Sequence, residues 1–459
     1  MARSAGDPWA GDALMAASAL DSAIYRDLFH DADIARLFTD SAEVRAMLLV
    51  EGALARAQGA AGLIPETAAA FIHRAAMEMQ IDPAGLAPDT GTNAVPVPAL
   101  VAAFRKAMEA PDHAQYLHWG ATSQDIMETA LMLRLRQVIA LQAQRLDRTV
   151  AALATLAETH ADLPMAARTY GQVATPTSFG AVVAGWGAPL LRHRDRLHEL
   201  QPRLLTASLS GAAGTLSVMG DRGPAVRAAM AEGLGLADPG ESWHPARDRL
   251  AEYAGWMTGL TASLAKMGED LILLTQSGFG EVQLGGGGAS STMPQKSNPV
   301  VPSVLLALGR MMVGLNANMQ GAAIHRQQRD GAAWFVEWLT LPQMCMIAGR
   351  ALSLAAEQAA ALRPVPDRMM AGVDDGLGLI HAEALTFALT DRMSRPAAAA
   401  EVKALCKQAM AEGRSLVALA DARWPDAGFS ARLTPAAQLG RAPAEARAFA
   451  ARARAAGIA

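Results

Sequence analysis

The residues with the clearest chemical potential lie in one long polar loop. Residues 285–299 read GGGGASSTMPQKSNP and stand between two long apolar segments. Loops longer than about 12 residues in compact proteins usually have a function. Four glycines let the backbone move, whereas Pro294 and Pro299 stiffen the far half, so serine, lysine and asparagine side chains are presented on a defined backbone. We interpret this segment as a functional lid, and a flexible surface linker is the alternative.

A second polar cluster, residues 118–125, reads HWGATSQD and precedes a long helical pattern. Thr122 or Ser123 is placed to cap the first turn of that helix. Free N–H groups and the helix dipole at such an end favour an anion, so a carboxylate ligand would fit. An ordinary N-cap followed by a turn is the alternative. A third polar cluster, RTYGQ at residues 168–172, separates two helical stretches, and an ordinary interhelical loop is the alternative there.

These clusters need long helices to position them. Residues 125–160 contain neither Gly nor Pro and repeat apolar residues at helical spacing. Further helical runs cover residues 245–277, 300–320 and 334–362, the last with a kink predicted at Pro342. We therefore predict an all-α fold with a central bundle of long helices, divided into an N-terminal helical domain (1–110), a central domain (111–363) and a C-terminal helical domain (364–459). A pattern resembling a capping box begins one of the N-terminal helices at residues 40–43.

The composition of the sequence limits which classes of partner and which cellular location we expect. The 459 residues are 51% hydrophobic but only 5% aromatic, and the net charge is −4. No basic stretch with interleaved aromatics is present, so we expect no nucleic-acid partner. Only two cysteines occur, no signal-peptide pattern begins the sequence, and no run of 18 apolar residues lacks a charge, so we expect a cytoplasmic protein without a membrane span.

Several common site types do not fit this sequence. The glycine run lacks the Gly directly before the Lys that a P-loop needs, since Gln295 stands there. The ten histidines show no metal-ligand spacing, and a serine-hydrolase elbow is missing. We therefore expect neither a metal nor a cofactor, and a small anionic substrate.

The polar loop closely resembles the signature G-S-S-x-M-P-x-K-x-N of the fumarase/aspartase superfamily, and the other two clusters match its remaining signature regions in the same order. HWGATSQDI, WHPARDRLAEYA from Trp243, WFVEW from Trp334 and the Leu439-Gly440 ending are similar to the branch of 3-carboxy-cis,cis-muconate cycloisomerases. The resemblance covers nearly the whole chain. It implies the three-domain superfamily fold and a homotetramer in which three subunits build each active site.

The resemblance also implies roles for individual residues. Ser290 would transfer the proton beside a substrate carboxylate, with its alkoxide stabilised by Lys296 and by backbone N–H groups. Lys296 and Asn298 would hold the charge of an aci-carboxylate dianion. A carboxylate of a di- or tricarboxylate substrate would bind to Thr122 and Ser123. The further substrate-binding candidates are His118, Gln172, Arg247 and Arg329, of which the arginines suit bidentate carboxylate binding.

Three positions depart from the superfamily pattern. Tyr170 replaces a histidine that many of its lyases use as an acid, which suits lactonisation because an ionised substrate carboxylate is the nucleophile there. Ala289 replaces a loop glycine, and Gln327-Gln328 replace titratable residues. The resemblance favours conversion of 3-carboxy-cis,cis-muconate to 4-carboxymuconolactone in the β-ketoadipate pathway. The alternatives are a C–N or C–O lyase that releases fumarate from a substituted succinate, such as nitrosuccinate or an adenylosuccinate-like compound, and an inactive binding relative.

Overall fold

The fold is predominantly helical, as the sequence predicts. The computed structural model describes residues 18–286, 288–289, 292–293, 296–373 and 376–458. The N-terminal part contains short and medium helices: α1 (Arg26–Phe29), α2 (Ala32–Ala35), α3 (Asp40–Ala60), α4 (Glu66–Glu78), α5 (Ala87–Asn93), α6 (Val97–Met108) and α7 (Pro111–Ala114). Helix α3 is capped one residue earlier than the capping-box pattern suggests, because the Thr39 hydroxyl accepts a hydrogen bond from the Ala42 N–H at 3.3 Å.

Five long helices form the middle of the chain, together with one shorter helix: α8 (Ser123–Thr159), α9 (Phe179–Leu204), α10 (Gly223–Leu234), α11 (Asp248–Leu274), α12 (Val300–Ala322) and α13 (Gly331–Ala361). Helix α8 has 37 residues and is about 55 Å long at 1.5 Å per residue. The four predicted helical runs correspond to α8, α11, α12 and α13, and Pro342 lies inside α13 as expected.

Helix α9 corresponds to the helical stretch expected after the RTYGQ cluster, but its bounds could not be predicted because glycine and proline interrupt its pattern. Those glycines allow close packing. A β-carbon at Gly180 would lie 2.4 Å from the Ala157 carbonyl oxygen of α8, and one at Gly187 would overlap the ring of Phe449. Gly180 and Gly187 are therefore positions at which neighbouring helices approach α9 closely, whereas a β-carbon at Gly185 would meet no atom within 4 Å.

The C-terminal part returns to shorter helices: α14 (Pro366–Val373), α15 (Ala382–Ala388), α16 (Arg395–Glu412), α17 (Leu416–Arg423), α18 (Phe429–Arg432) and α19 (Ala442–Ala455). Helices α15 to α18 enclose an apolar cluster that includes Leu385, Val402, Leu405, Leu416 and Phe429. This separate core agrees with the short amphipathic patterns of the sequence.

The described strands are short and form antiparallel pairs. They are β1 (Pro164–Thr169), β2 (Gln172–Ser178), β3 (Val282–Gln283), β4 (Gly288–Ala289), β5 (Ser297–Asn298) and β6 (Arg363–Pro364). Strand β1 pairs with β2, β3 with β6, and β4 with β5. The pairs place two of the three polar clusters on hairpin-like frames where the sequence indicated loops.

Residue contacts divide the chain into two compact units. Unit 1 contains the residues up to Gln144 together with Asp195–Thr261 and Leu308–Ala351, and unit 2 contains Arg145–Arg194, Ala262–Ala307 and the residues from Leu352 onward. The division into three consecutive domains stays a prediction from the sequence.

Two of the described helices, α12 and α13, are long and apolar enough to cross a membrane, which is weak evidence because core helices of soluble proteins meet the same criteria. The most apolar window of α13 is 67% buried, whereas that of α12 is only 33% buried. Helix α12 therefore exposes apolar surface in a single chain.

Candidate active site

The first turn of α8 is fixed by the buried carboxylate of Asp125. Its Oδ1 accepts hydrogen bonds from the Ser210 N–H and from His244 Nε2, both at 2.8 Å. Its Oδ2 accepts from the Gly211 N–H at 2.9 Å and from the Thr122 N–H at 3.0 Å. Asp125 therefore joins the start of α8 to two other segments of unit 1, and its interactions with backbone N–H groups make the position of Thr122 rigid.

Arg247 lies beneath this turn and is fully engaged. Its side chain is 1% exposed. The guanidinium donates to Glu337 at 2.8 and 2.6 Å, to Glu128 at 2.5 Å and to the His244 carbonyl at 3.3 Å. Burial lowers the pKa of Arg247, but the two carboxylates outweigh burial and raise it above its usual range. A direct contact with substrate would require one of these buried pairs to break, so the geometry favours a supporting position for Arg247.

Arg329 is the exposed guanidinium of unit 1 beside the N-terminus of α8. Its Nε donates to Gln124 Oε1 at 2.6 Å, and a terminal nitrogen lies 3.4 Å from Thr122 Oγ1. Gln124 is buried and also donates to Glu128 at 2.7 Å. The Arg329 guanidinium is thus aligned with the helix N-terminus, where both favour a carboxylate.

A depression of about 550 Å³ lies beside Arg329. Gln327, with a left-handed φ of 55°, contributes to its wall. Asp330 caps α13 by accepting from the Ala332 N–H at 3.0 Å. It also pairs with Arg326 at 2.6 Å, and this hydrogen bond holds the pKa of the Asp330 carboxyl well below its usual range. The depression is large enough for a small acid next to Arg329.

His118 is anchored by a residue of α3. Its Nδ1 lies 2.7 Å from Oε1 of Glu51, whose side chain is 1% exposed. Burial lowers the pKa of His118, but the charge and hydrogen bond of Glu51 outweigh burial, so the pKa is raised. About two turns further along α3, Gln58 donates to the Trp119 carbonyl at 2.6 Å. Helix α3 therefore holds this loop at two points.

The RTYGQ cluster forms the tight turn between β1 and β2. Tyr170 and Gly171 have φ values of 51° and 74°, which is the pattern of a type I′ hairpin turn, and Thr169 pairs with Gln172 across it. The Tyr170 side chain is fully exposed and Gln172 is exposed as well. Both therefore project from the hairpin tip of unit 2.

A buried ion pair fixes this hairpin within unit 2. Arg168 donates to both oxygens of Glu281 at 2.8 Å, and the Glu281 side chain is 1% exposed. Glu281 directly precedes β3, which leads into the glycine-rich loop. The RTYGQ hairpin and the strand that leads into the glycine-rich loop are thus connected by one bidentate pair.

Within the glycine-rich loop, the structure describes residues 285–286, 288–289, 292–293 and 296–299. Strand β4 pairs with β5, so Gly288 lies opposite Asn298, and the Lys296 side chain is exposed. Ser290 lies outside the described residues. Ala289 pairs through its backbone with Ser297.

The predicted site residues thus fall into two sets. Unit 1 holds His118, Thr122, Ser123, Arg247 and Arg329, and unit 2 holds Tyr170, Gln172, Lys296 and Asn298. The sequence reading assigned no role to Asp125 and Gln124, although both lie in the HWGATSQD motif, nor to Glu337 in WFVEW. Glu51 and Glu128 carried a weaker signal, which is a single charge within an otherwise apolar helix face. Within the described parts of the chain, no group of three or more His, Cys, Asp or Glu side chains is arranged to hold a metal ion.

Comparisons with known proteins identify the family of the chain. Residues 29–314 match a family described as Lyase. A 3-carboxy-cis,cis-muconate cycloisomerase of Pseudomonas aeruginosa is 41% identical over 85% of this chain and 86% of its own length. A nitrosuccinate lyase of Streptomyces davaonensis is 35% identical over 87% of each chain. The crystal structure of the 3-carboxy-cis,cis-muconate lactonizing enzyme of Pseudomonas putida superposes with a TM-score of 0.88, at 35% identity over 95% of this chain and 99% of that one.

Proposed function

Because the chain belongs to the lyase family, whose fold and signature regions it has, we propose that it is an enzyme that converts 3-carboxy-cis,cis-muconate to 4-carboxymuconolactone. The observation that carries this proposal is Tyr170 at the exposed hairpin tip, where a lyase of the superfamily pattern would carry an acidic histidine. Cycloisomerisation does not expel a leaving group, so it does not need that acid. The similarity to cycloisomerases over most of the chain supports the same conclusion.

The reaction needs one ring closure and one proton. A carboxylate of the substrate adds to a carbon–carbon double bond of the same molecule, and the electron pair moves into the adjacent carboxylate as an aci-carboxylate dianion. Lys296 and Asn298 stabilise that dianion, and Ser290 delivers a proton to the carbon. The Ser290 alkoxide then regains its proton from water, so the ionised substrate takes up one proton overall and nothing else is consumed.

Substrate binding follows from the charges around the first turn of α8. Thr122, Ser123 and Arg329 bind one carboxylate at the helix N-terminus, with His118 and Gln172 as further polar contacts. Arg247 supports this turn through its two buried carboxylates. The substrate is therefore a small di- or tricarboxylate anion, bound without a cofactor.

The assembled enzyme is a homotetramer with active sites shared between subunits. Exposed apolar side chains support this proposal, among them Leu273, Met311, Val313 and Leu339. Neighbouring subunits would cover them, and the exposed hairpin tip would reach a site on another subunit. We place the enzyme in the cytoplasm.

The direct test mixes the purified protein with 3-carboxy-cis,cis-muconate and follows the loss of diene absorbance. Turnover that falls by several orders of magnitude in Ser290→Ala and Lys296→Met, while Lys403→Met on exposed α16 keeps normal activity, supports the assignment. If Ser290→Ala retained more than about a tenth of the rate, another group must transfer the proton. Fumarate release from nitrosuccinate or N-substituted aspartates, without loss of carboxymuconate, would assign a lyase instead.

A further inference from the structure

The pair formed by His118 and Glu51 is built at some cost to the fold. His118 has a left-handed φ of 61°, a conformation that is unfavourable for an L-residue. Glu51 is a buried carboxylate in α3, and its Oε2 has no partner among the described residues. Strained backbone and buried charge are retained together only where the surrounding structure enforces them, which points to a functional position.

The imidazole is oriented so that one nitrogen is engaged and the other is available. Nδ1 is bound by Glu51, whereas Nε2 has no hydrogen-bond partner within the part of the chain that the structure describes. The side chain retains 19% exposure, so Nε2 is accessible to a ligand. The charged groups that act on the imidazole are Glu51 from α3, Asp125 from α8 and Arg105 from α6, and the two carboxylates outweigh the one guanidinium.

We propose that Glu51 is a positioning residue of this site, which keeps His118 as an imidazolium whose Nε2–H binds a second substrate carboxylate in addition to the one at Arg329. The inference rests on the proposed function and makes it more specific. Arg247 is unavailable because two carboxylates surround it, and Arg326 is paired with Asp330. Among the described residues around the first turn of α8, Arg329 and His118 are therefore the cations that remain for a ligand. With Lys296 serving the carboxylate at the reacting carbon, three cations match a tricarboxylate.

Two inhibitors that differ by one carboxylate test this number of substrate-binding cations without turnover. Tricarballylate and glutarate differ only in the central carboxylate, and both are titrated calorimetrically into the intact protein across a pH series. We expect tricarballylate to bind about ten- to a hundredfold more tightly at low pH, because an additional charged hydrogen bond forms. This advantage should disappear as the pH rises through the raised pKa of His118, since the imidazolium is then lost.

Three variants distinguish a positioning role of Glu51 from a role in folding. Glu51→Gln should move the loss of the tricarballylate advantage to lower pH, because the charge that raises the pKa of His118 is removed. His118→Asn should abolish the advantage at every pH and leaves α3 unchanged. Glu43→Gln is the matched control: it removes an ion pair of the same helix, with Arg134 at 3.4 Å, and should leave the profile unchanged.

The outcomes distinguish this inference from the proposed function. An advantage that persists in His118→Asn, or a profile that does not move in Glu51→Gln, overturns the inference even if carboxymuconate is turned over. Conversely, a His118-dependent advantage in a protein without carboxymuconate turnover supports the two-carboxylate site and rejects the proposed reaction. In turnover experiments, Glu51→Gln should raise KM more than it lowers kcat, whereas a general loss of structure would lower kcat.

Discussion

The side chain of Tyr170 occupies a backbone conformation that asparagine and glycine adopt far more easily. Its φ of 51° and that of Gly171 at 74° define a type I′ turn, for which Asn-Gly is the favoured sequence. A fully exposed aromatic residue in this position gains no packing energy within the chain. Tyrosine is therefore retained there at the expense of the turn, which fits a role outside the single subunit.

Substitutions at this position should separate stability from activity. Tyr170→Asn is expected to stabilise the protein by up to about 1 kcal/mol, because the left-handed strain is relieved. The measurement is chemical denaturation followed by circular dichroism.

Tyr170→Phe keeps the ring and removes the hydroxyl, so a cycloisomerase should retain a near-normal rate. A collapse of the rate in Tyr170→Phe would instead identify Tyr170 as an acid.

Asp125 is the residue whose loss should damage the site most through structure. Asp125→Asn leaves an amide NH₂ facing groups that already donate hydrogen bonds, among them the N–H groups of Ser210 and Gly211. The free energy of unfolding should fall by about 2 to 4 kcal/mol. Denaturant titration measures the change, and the exposed Asp89→Asn serves as control. An unchanged stability would show that the Asp125 network is not maintained in solution.

The sequence allowed parts of this site to be predicted and not others. Thr122 and Ser123 were placed at a helix N-terminus because the motif directly precedes an uninterrupted helical pattern. Glu51 could not be paired with His118, since a separation of 67 positions in the sequence leaves their distance undetermined until α3 is packed. Contacts between distant segments depend on tertiary packing, which a single sequence does not encode as local periodicity.

At the scale of secondary structure, the hairpin β1–β2 depends on one ion pair. Arg168 and Glu281 form two parallel hydrogen bonds in a largely buried position. The sequence predicted a loop at this place because the strands are too short to show clear alternation. It predicted α8 correctly because 36 residues without Gly or Pro have few alternatives to a helix.

Removing only one partner of the Arg168–Glu281 pair should lower the free energy of unfolding. Glu281→Gln leaves the Arg168 guanidinium without its counter-charge, so the free energy of unfolding should fall by about 2 to 4 kcal/mol. The double variant Arg168→Met with Glu281→Leu should recover most of that loss, because no buried charge remains unpaired. Denaturation of Arg168→Met, of Glu281→Leu and of the double variant completes the cycle. A double variant as unstable as the sum of the single ones would contradict the pairing energy.

At the scale of the whole molecule, the apolar surface of α12 is the main argument for assembly. Only 33% of its most apolar window is buried, and Met311 and Val313 are exposed at 43% and 58%. A soluble single chain would rarely leave such a helix uncovered. The sequence composition indicated a large apolar content but could not separate the core of a chain from its interfaces.

Charges on this surface should therefore dissociate the proposed tetramer. Met311→Glu combined with Val313→Glu is expected to lower the mass measured by light scattering from that of a tetramer, and activity should be lost in parallel. Met410→Glu on α16 introduces the same charge at a residue that is 57% exposed and should leave the mass unchanged. A tetramer that persists in the double variant would place the subunit interface elsewhere.

The contact between Gly187 and Phe449 can form only late in the synthesis of the chain. Unit 2 combines segments that begin at Arg145, Ala262 and Leu352, and the ring of Phe449 occupies the space that Gly187 leaves open. Helix α9 is made more than 200 residues before α19, so the surface at Gly187 lacks its partner while the ribosome translates the intervening chain. We expect the nascent chain to be prone to aggregation during that interval.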